Sequence, residues 1–213
     1  LVALPTAAYF FVSFLGFTRL VAAIAGVAGS LMVFMESYSI FGANIKSTLA
    51  GMFSFSISFA LSILYIGLVV RSYRQGRKLN VVAGVILGLT ALSHVISTII
   101  AVIVVAPLVL APLALVLVDR ARVREAGAGA VGVVSSWMIG FGVSAFFSIP
   151  LGVNTLSGMT SDMGWAPVTA IVGNYQGPGS LIPGELVPIL VLGFIGMMWT
   201  MLRRDNVGIA IWM

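Results

Sequence analysis

Four side chains able to do chemistry stand out in a chain that is otherwise largely hydrocarbon: Glu36, Asn44, Lys46 and His94. Their types suit group transfer at a phosphate. A carboxylate takes the proton of an attacking hydroxyl, and a cation or hydrogen-bond donor stabilises the charge on a departing phosphate. Glu36 and Lys46 stand ten residues apart in LMVFMESYSIFGANIKSTLAGMFSFS, between two apolar runs. A fold-back at FGANIKS brings them together, and in a low-dielectric vestibule each then keeps the other ionised. Left in water, they are ordinary loop residues. His94 is the one histidine. It is either a hydrogen-bonding residue at a turn or a proton carrier and phosphate donor. Glu36 and His94 are therefore the catalytic candidates, and Asn44 and Lys46 the substrate-binding ones. Two aromatics in a later loop, Trp165 and Tyr175, offer flat faces on which a sugar can rest. No HxH, ExxH or DxD pattern occurs, so no cofactor is evident, and a divalent metal would need ligands from outside this stretch. The absence of cysteine removes thiol chemistry and disulfides.

The elements that must position these residues follow from composition. Of 213 residues, 60% are hydrophobic and only 8% charged, and the mean hydropathy is +1.15. Soluble domains carry about 25% charged residues. Apolar runs of about 20 residues recur, the length a hydrocarbon slab about 30 Å thick requires of a helix. The expectation is an all-α, polytopic transmembrane bundle of about seven spans in one domain. The spans fall at 2–17, 20–35, 48–70, 79–95, 98–118, 128–149 and 185–202, with outer loops at 36–47 and 150–184. Between Leu79 and Val118 there is no formal charge over 40 residues. A single helix of that length would reach about 60 Å, so the chain must turn back, and the Ser93, His94, Ser97, Thr98 cluster marks the place. The start at LVALPTAAYFF and the end at NVGIAIWM read as an internal fragment of a longer protein.

This alternation puts ten of the eleven basic residues on one face, leaving Lys46 alone on the other. Such asymmetry marks the basic face as cytoplasmic, and explains the net charge of +5 without a nucleic-acid partner. The partner is a lipid bilayer, the location a bacterial cytoplasmic membrane, and the chemical residues lie on the outer side. Small residues repeat at i+4 in Ala22, Gly26, Ser30; in Ser54, Ser58, Ser62; in Gly84, Gly88; and in Gly132, Ser136, Gly140, Ser144. They predict closely packed helices, the alternative reading of the serines being a hydroxyl-lined path.

The order LPTAAYFF, LGF, FMESYSIFGANIKSTLAGMFSFSISFALSILYIGL and LTALSHVISTI resembles polytopic membrane proteins of the GT-C glycosyltransferase type. In particular it resembles the bacterial membrane family labelled "6-pyruvoyl-tetrahydropterin synthase-related", a label unrelated to any chemistry readable here. The resemblance covers residues 1–118 and is most specific at 36–58. It implies a GT-C-like fold. It also implies transfer of a sugar from a polyprenyl-phosphate donor to a glycan acceptor on the outer side of the membrane, in cell-envelope assembly. The catalytic carboxylate of that type lies in the first outer loop, upstream of this stretch. Relatives are expected to carry Gly-Gly-Asn where this chain has Gly42-Ala43-Asn44, and an acidic residue at Met52. A methionine there removes a carboxylate from the outer face. A transporter or lipid-glycan translocase, and a non-catalytic scaffold subunit of an envelope complex, are the alternatives. The first would place its polar groups near the midplane.

Overall fold

The computed structural model describes residues 2–35, 42–118 and 120–156, together with 188, 191, 192 and 195. Among these the chain is all-helical, as its composition leads one to expect. Residues Leu1–Leu156 form one compact unit and Ser157–Met213 a second. The first contains α1 (Ala3–Phe14), α2 (Arg19–Val33), α3 (Ile45–Leu49), α4 (Phe53–Arg74), α5 (Val81–Ser93), α6 (Val95–Val118) and α7 (Arg120–Leu156). In the second, the described positions Pro188, Val191, Leu192 and Ile195 are helical.

Local signals set the boundaries. Thr18 caps α2 by accepting from the Val21 amide, Asn44 caps α3 and Asn80 caps α5. Each satisfies a backbone donor that the first turn of a helix leaves unpaired. Helix α4 stops at Arg74 and Gln75, where Gly76 takes φ +60°, a left-handed conformation suited to glycine.

Direction follows from which residues meet. Phe11 and Phe14 of α1 pack at Gly67 of α4, and the Arg71 guanidinium lies 5.4 Å from the centre of the Phe14 ring, so α1 and α4 run parallel. Gly26 and Gly29 of α2 pack on Pro5 and Ala8, turning α2 back along α1. Ser58 of α4 bonds the Thr90 carbonyl, Tyr65 meets Ser136 and Tyr73 meets Gly129, which sets α4 against both α5 and α7. Gly84 packs on Ile139 and Gly88 on Val143, so α5 and α7 are parallel. Helices α6 and α7, joined through one residue, pack side by side and therefore reverse. The reversals α1–α2, α4–α5 and α6–α7 share one end of this unit. The end of α2, the start of α3 and the His94 junction share the other.

Among the described residues, three helices are long and apolar enough to cross a membrane: Phe53–Arg74, Val95–Pro112 and Ala126–Asn154. Seven full spans are not seen among them. Helices α1, α2 and α5 have 12, 15 and 13 residues, about 18–22 Å of length against about 30 Å of hydrocarbon. The sequence break at 94 is a helix junction, as expected. The third span starts at Phe53 rather than 48, because α3 and a turn at Gly51 precede it. Nor does the sixth stop before Pro150. Helix α7 runs through that proline to Leu156, so the outer loop does not begin at 150. The expected span at 185–202 falls almost wholly outside the described residues.

Candidate functional site

The end of the unit opposite the basic reversals holds three of the chemically singled-out residues. Asn44 is fully buried. Its Oδ1 accepts from the Ser47 amide at 2.7 Å, its Nδ2 donates to the Met35 carbonyl at 2.7 Å, and its own amide donates to Ser47 Oγ at 3.2 Å. This reciprocal pair is a capping box. Asn44 thus closes the loop onto α3, and its side chain is engaged in holding the backbone. That departs from a substrate-contacting role, for the physical reason that a buried amide must first satisfy its own donors and acceptor.

Lys46 lies two residues on and is exposed on α3. A chain of contacts runs from this turn to His94. The Thr48 hydroxyl donates to the Asn44 carbonyl at 2.7 Å and lies 2.9 Å from Ser56 Oγ in the first turn of α4. Next to Ser56, Phe55 meets the His94 ring edge to face at 5.2 Å. His94 itself is the extended residue between α5 and α6, with φ −163° and ψ 123°. Its amide donates to the Thr90 carbonyl at 2.8 Å, and its carbonyl accepts from Ser58 Oγ and Thr98 Oγ1, each at 3.2 Å. These bonds satisfy backbone groups released where α5 stops, so the junction is built rather than frayed. Asn44, Lys46 and His94 therefore belong to one end and are tied through the start of α4. Glu36, Trp165 and Tyr175 lie outside the described residues.

Beside His94 an apolar cavity of about 640 Å³ opens between α5, α6 and α7. Leu87 and Ala91 contribute from α5, Val95 and Val102 from α6, and Trp137 and Leu151 from α7. The hydroxyls at its wall are already engaged: Thr98 bonds the His94 carbonyl, Ser144 the Gly140 carbonyl and Ser148 the Ser144 oxygen. The lining is thus effectively hydrocarbon, suited to a chain rather than to a polar solute. Neither reading of the small-residue stripe on α7, close packing or a hydroxyl-lined path, pointed to it. The stripe continues past Ser144 to Ser148 and Gly152 at the same i+4 spacing. Its first half, Gly132 and Ser136, meets α4–α5; its second half, having little side chain, leaves the space that becomes the cavity. That continuation was the available signal.

Among the described residues no group of His, Cys, Asp or Glu is placed to hold a metal ion. Compared with protein families, curated proteins and solved structures, the chain matches none of them.

Proposed function

We propose that this chain is the membrane-embedded part of a GT-C-type glycosyltransferase that uses a polyprenyl-phosphate sugar on the face opposite its basic end. The observation that carries this reading is the juxtaposition of a hydrocarbon-lined cavity with the end bearing His94 and Lys46. An isoprenoid tail takes the cavity, entering past Val95 and Leu151, and the phosphate reaches the polar end. The acceptor hydroxyl attacks the anomeric carbon as the bond from that carbon to the phosphate oxygen breaks. Glu36 takes the hydroxyl proton, and Lys46 with His94 stabilises the charge left on the phosphate. Met52 offers no carboxylate for the first task. It precedes α4 and packs on the core formed by Leu4, Val33 and Phe55, which leaves the base to Glu36 or to a carboxylate elsewhere in the intact protein.

A transport path draws no comparable support. The hydroxyls it would need, Ser58, Ser62, Thr90 and Ser136, are buried and bonded to backbone carbonyls. They are consumed by packing.

The test uses the intact protein in its native membrane with a polyprenyl-phosphate sugar as donor. Glu36→Gln and Lys46→Met are each expected to cut product formation at least a hundredfold. Gly152→Leu, which fills the cavity, is expected to raise KM for the lipid donor about tenfold with kcat little changed, the signature of lost uniform binding. Unchanged glycan products in both of the first two variants would refute the reading.

A further inference from the structure

The opposite end of the helical unit carries a second surface that sugar transfer does not use. The exposed side chains Arg19, Arg71, Arg74, Arg77, Lys78 and Arg124 all lie there. They form a continuous ridge. Arg71 lies over Phe14, and Arg74 donates to the Leu15 carbonyl, just before Gly16 and Arg19. The Arg77 carbonyl abuts Gly132 on α7, about two helical turns from Arg124.

We propose that this ridge is a docking surface for the head groups of anionic phospholipids. Charge complementarity requires an anionic occupant, and the neighbouring residues choose the lipid. Phe17, Leu20 and Leu79 stand 55%, 71% and 64% exposed directly beside Arg19 and Lys78. Cations interleaved with bare hydrocarbon fit the level where head groups meet acyl chains. A nucleic acid or an acidic protein would meet those apolar side chains in water and gain nothing from them.

The experiment places the full chain in nanodiscs of mixed phosphatidylglycerol and phosphatidylcholine with identical acyl chains. The lipids retained on release are counted by native mass spectrometry. Each cation near an anionic surface is worth on the order of fivefold in binding. The wild type is therefore expected to retain phosphatidylglycerol several-fold above its bulk share. A variant carrying Arg19→Gln, Arg77→Gln and Lys78→Gln is expected to fall back close to that share. Arg71 and Arg74 stay unchanged because they hold α1 in place. Retention at the bulk ratio by the wild type, or undiminished enrichment in a variant of unchanged helical content by circular dichroism, would overturn the proposal. Displacement of the retained lipid by polyglutamate at equal charge would overturn it too, in favour of an acidic polypeptide. Should the variant not fold, the wild type decides. Enrichment lost at about 1 M salt, where charges are screened within about 3 Å, supports the surface, and enrichment that persists there refutes it.

Discussion

Ala43 sits at φ +51° and is 2% exposed, immediately before the asparagine that caps α3. A side chain in that left-handed region costs roughly 1–2 kcal/mol, which the Asn44 cap and its bond to Met35 offset. Ala43→Gly is therefore expected to leave stability unchanged or raise it by up to about 1 kcal/mol, since relief of strain is partly cancelled by the freer unfolded chain. Ala43→Val is expected to cost more than 2 kcal/mol, because a β-branched residue at positive φ is strained and the site has no room. Thermal unfolding in detergent reads both. Asn44→Ala, which removes the cap and leaves the Met35 carbonyl unmet, is expected to cost about 1–3 kcal/mol. It should appear as lost stability, with substrate affinity unchanged in the surviving folded fraction. Asn44 carries two signals at once. Its amide suggested a ligand contact, whereas the Asn-Ile-Lys-Ser spacing already spelled a helix start, and that local signal was the stronger one.

Between elements, the closest approach is at Gly132, where an added Cβ would lie 2.0 Å from the Arg77 carbonyl oxygen. Backbone cannot yield as a side chain can. Gly132→Ala is expected to separate the α4–α5 turn from α7 at a cost of about 1–3 kcal/mol. Gly142, on the same helix with nothing within 4 Å of its added Cβ, gives the contrast. Gly142→Ala is expected to stabilise by up to about 1 kcal/mol through helix propensity. Equal effects of the two in a denaturation series would contradict the packing described. Helix breaks at Thr18, Arg74 and His94 were legible because caps, charges and polar clusters act locally. The passage of α7 through Pro150 was not. A proline ordinarily ends a helix in water, but inside a membrane neighbouring groups can satisfy the freed carbonyl and the helix continues. The cavity was hidden for a related reason, since a stripe of small residues reads alike whether a neighbouring helix fills the space or leaves it open.

For the molecule as a whole, the helical, membrane-suited character of the described residues was readable from hydropathy, because lipid leaves backbone polar groups no partner but one another. The count of full spans was not, since hydropathy registers greasiness and a helix of 12 residues is as greasy as one of 22. The shortness of α1 and α2 has its own consequence. This hairpin packs on α4 mainly through α1, with only the end of α2 at Val33 joining the Phe55 core and Ile24, Val27 and Leu31 bare. A lipid sheet meeting so stubby a rim must pinch inward to cover it, and pinching costs a fraction of a kcal/mol for every ångström of mismatch. The protein is accordingly expected to unfold at a higher temperature in bilayers of fourteen-carbon lipids than in those of eighteen-carbon lipids. It should also gather wherever its host membrane is thinnest.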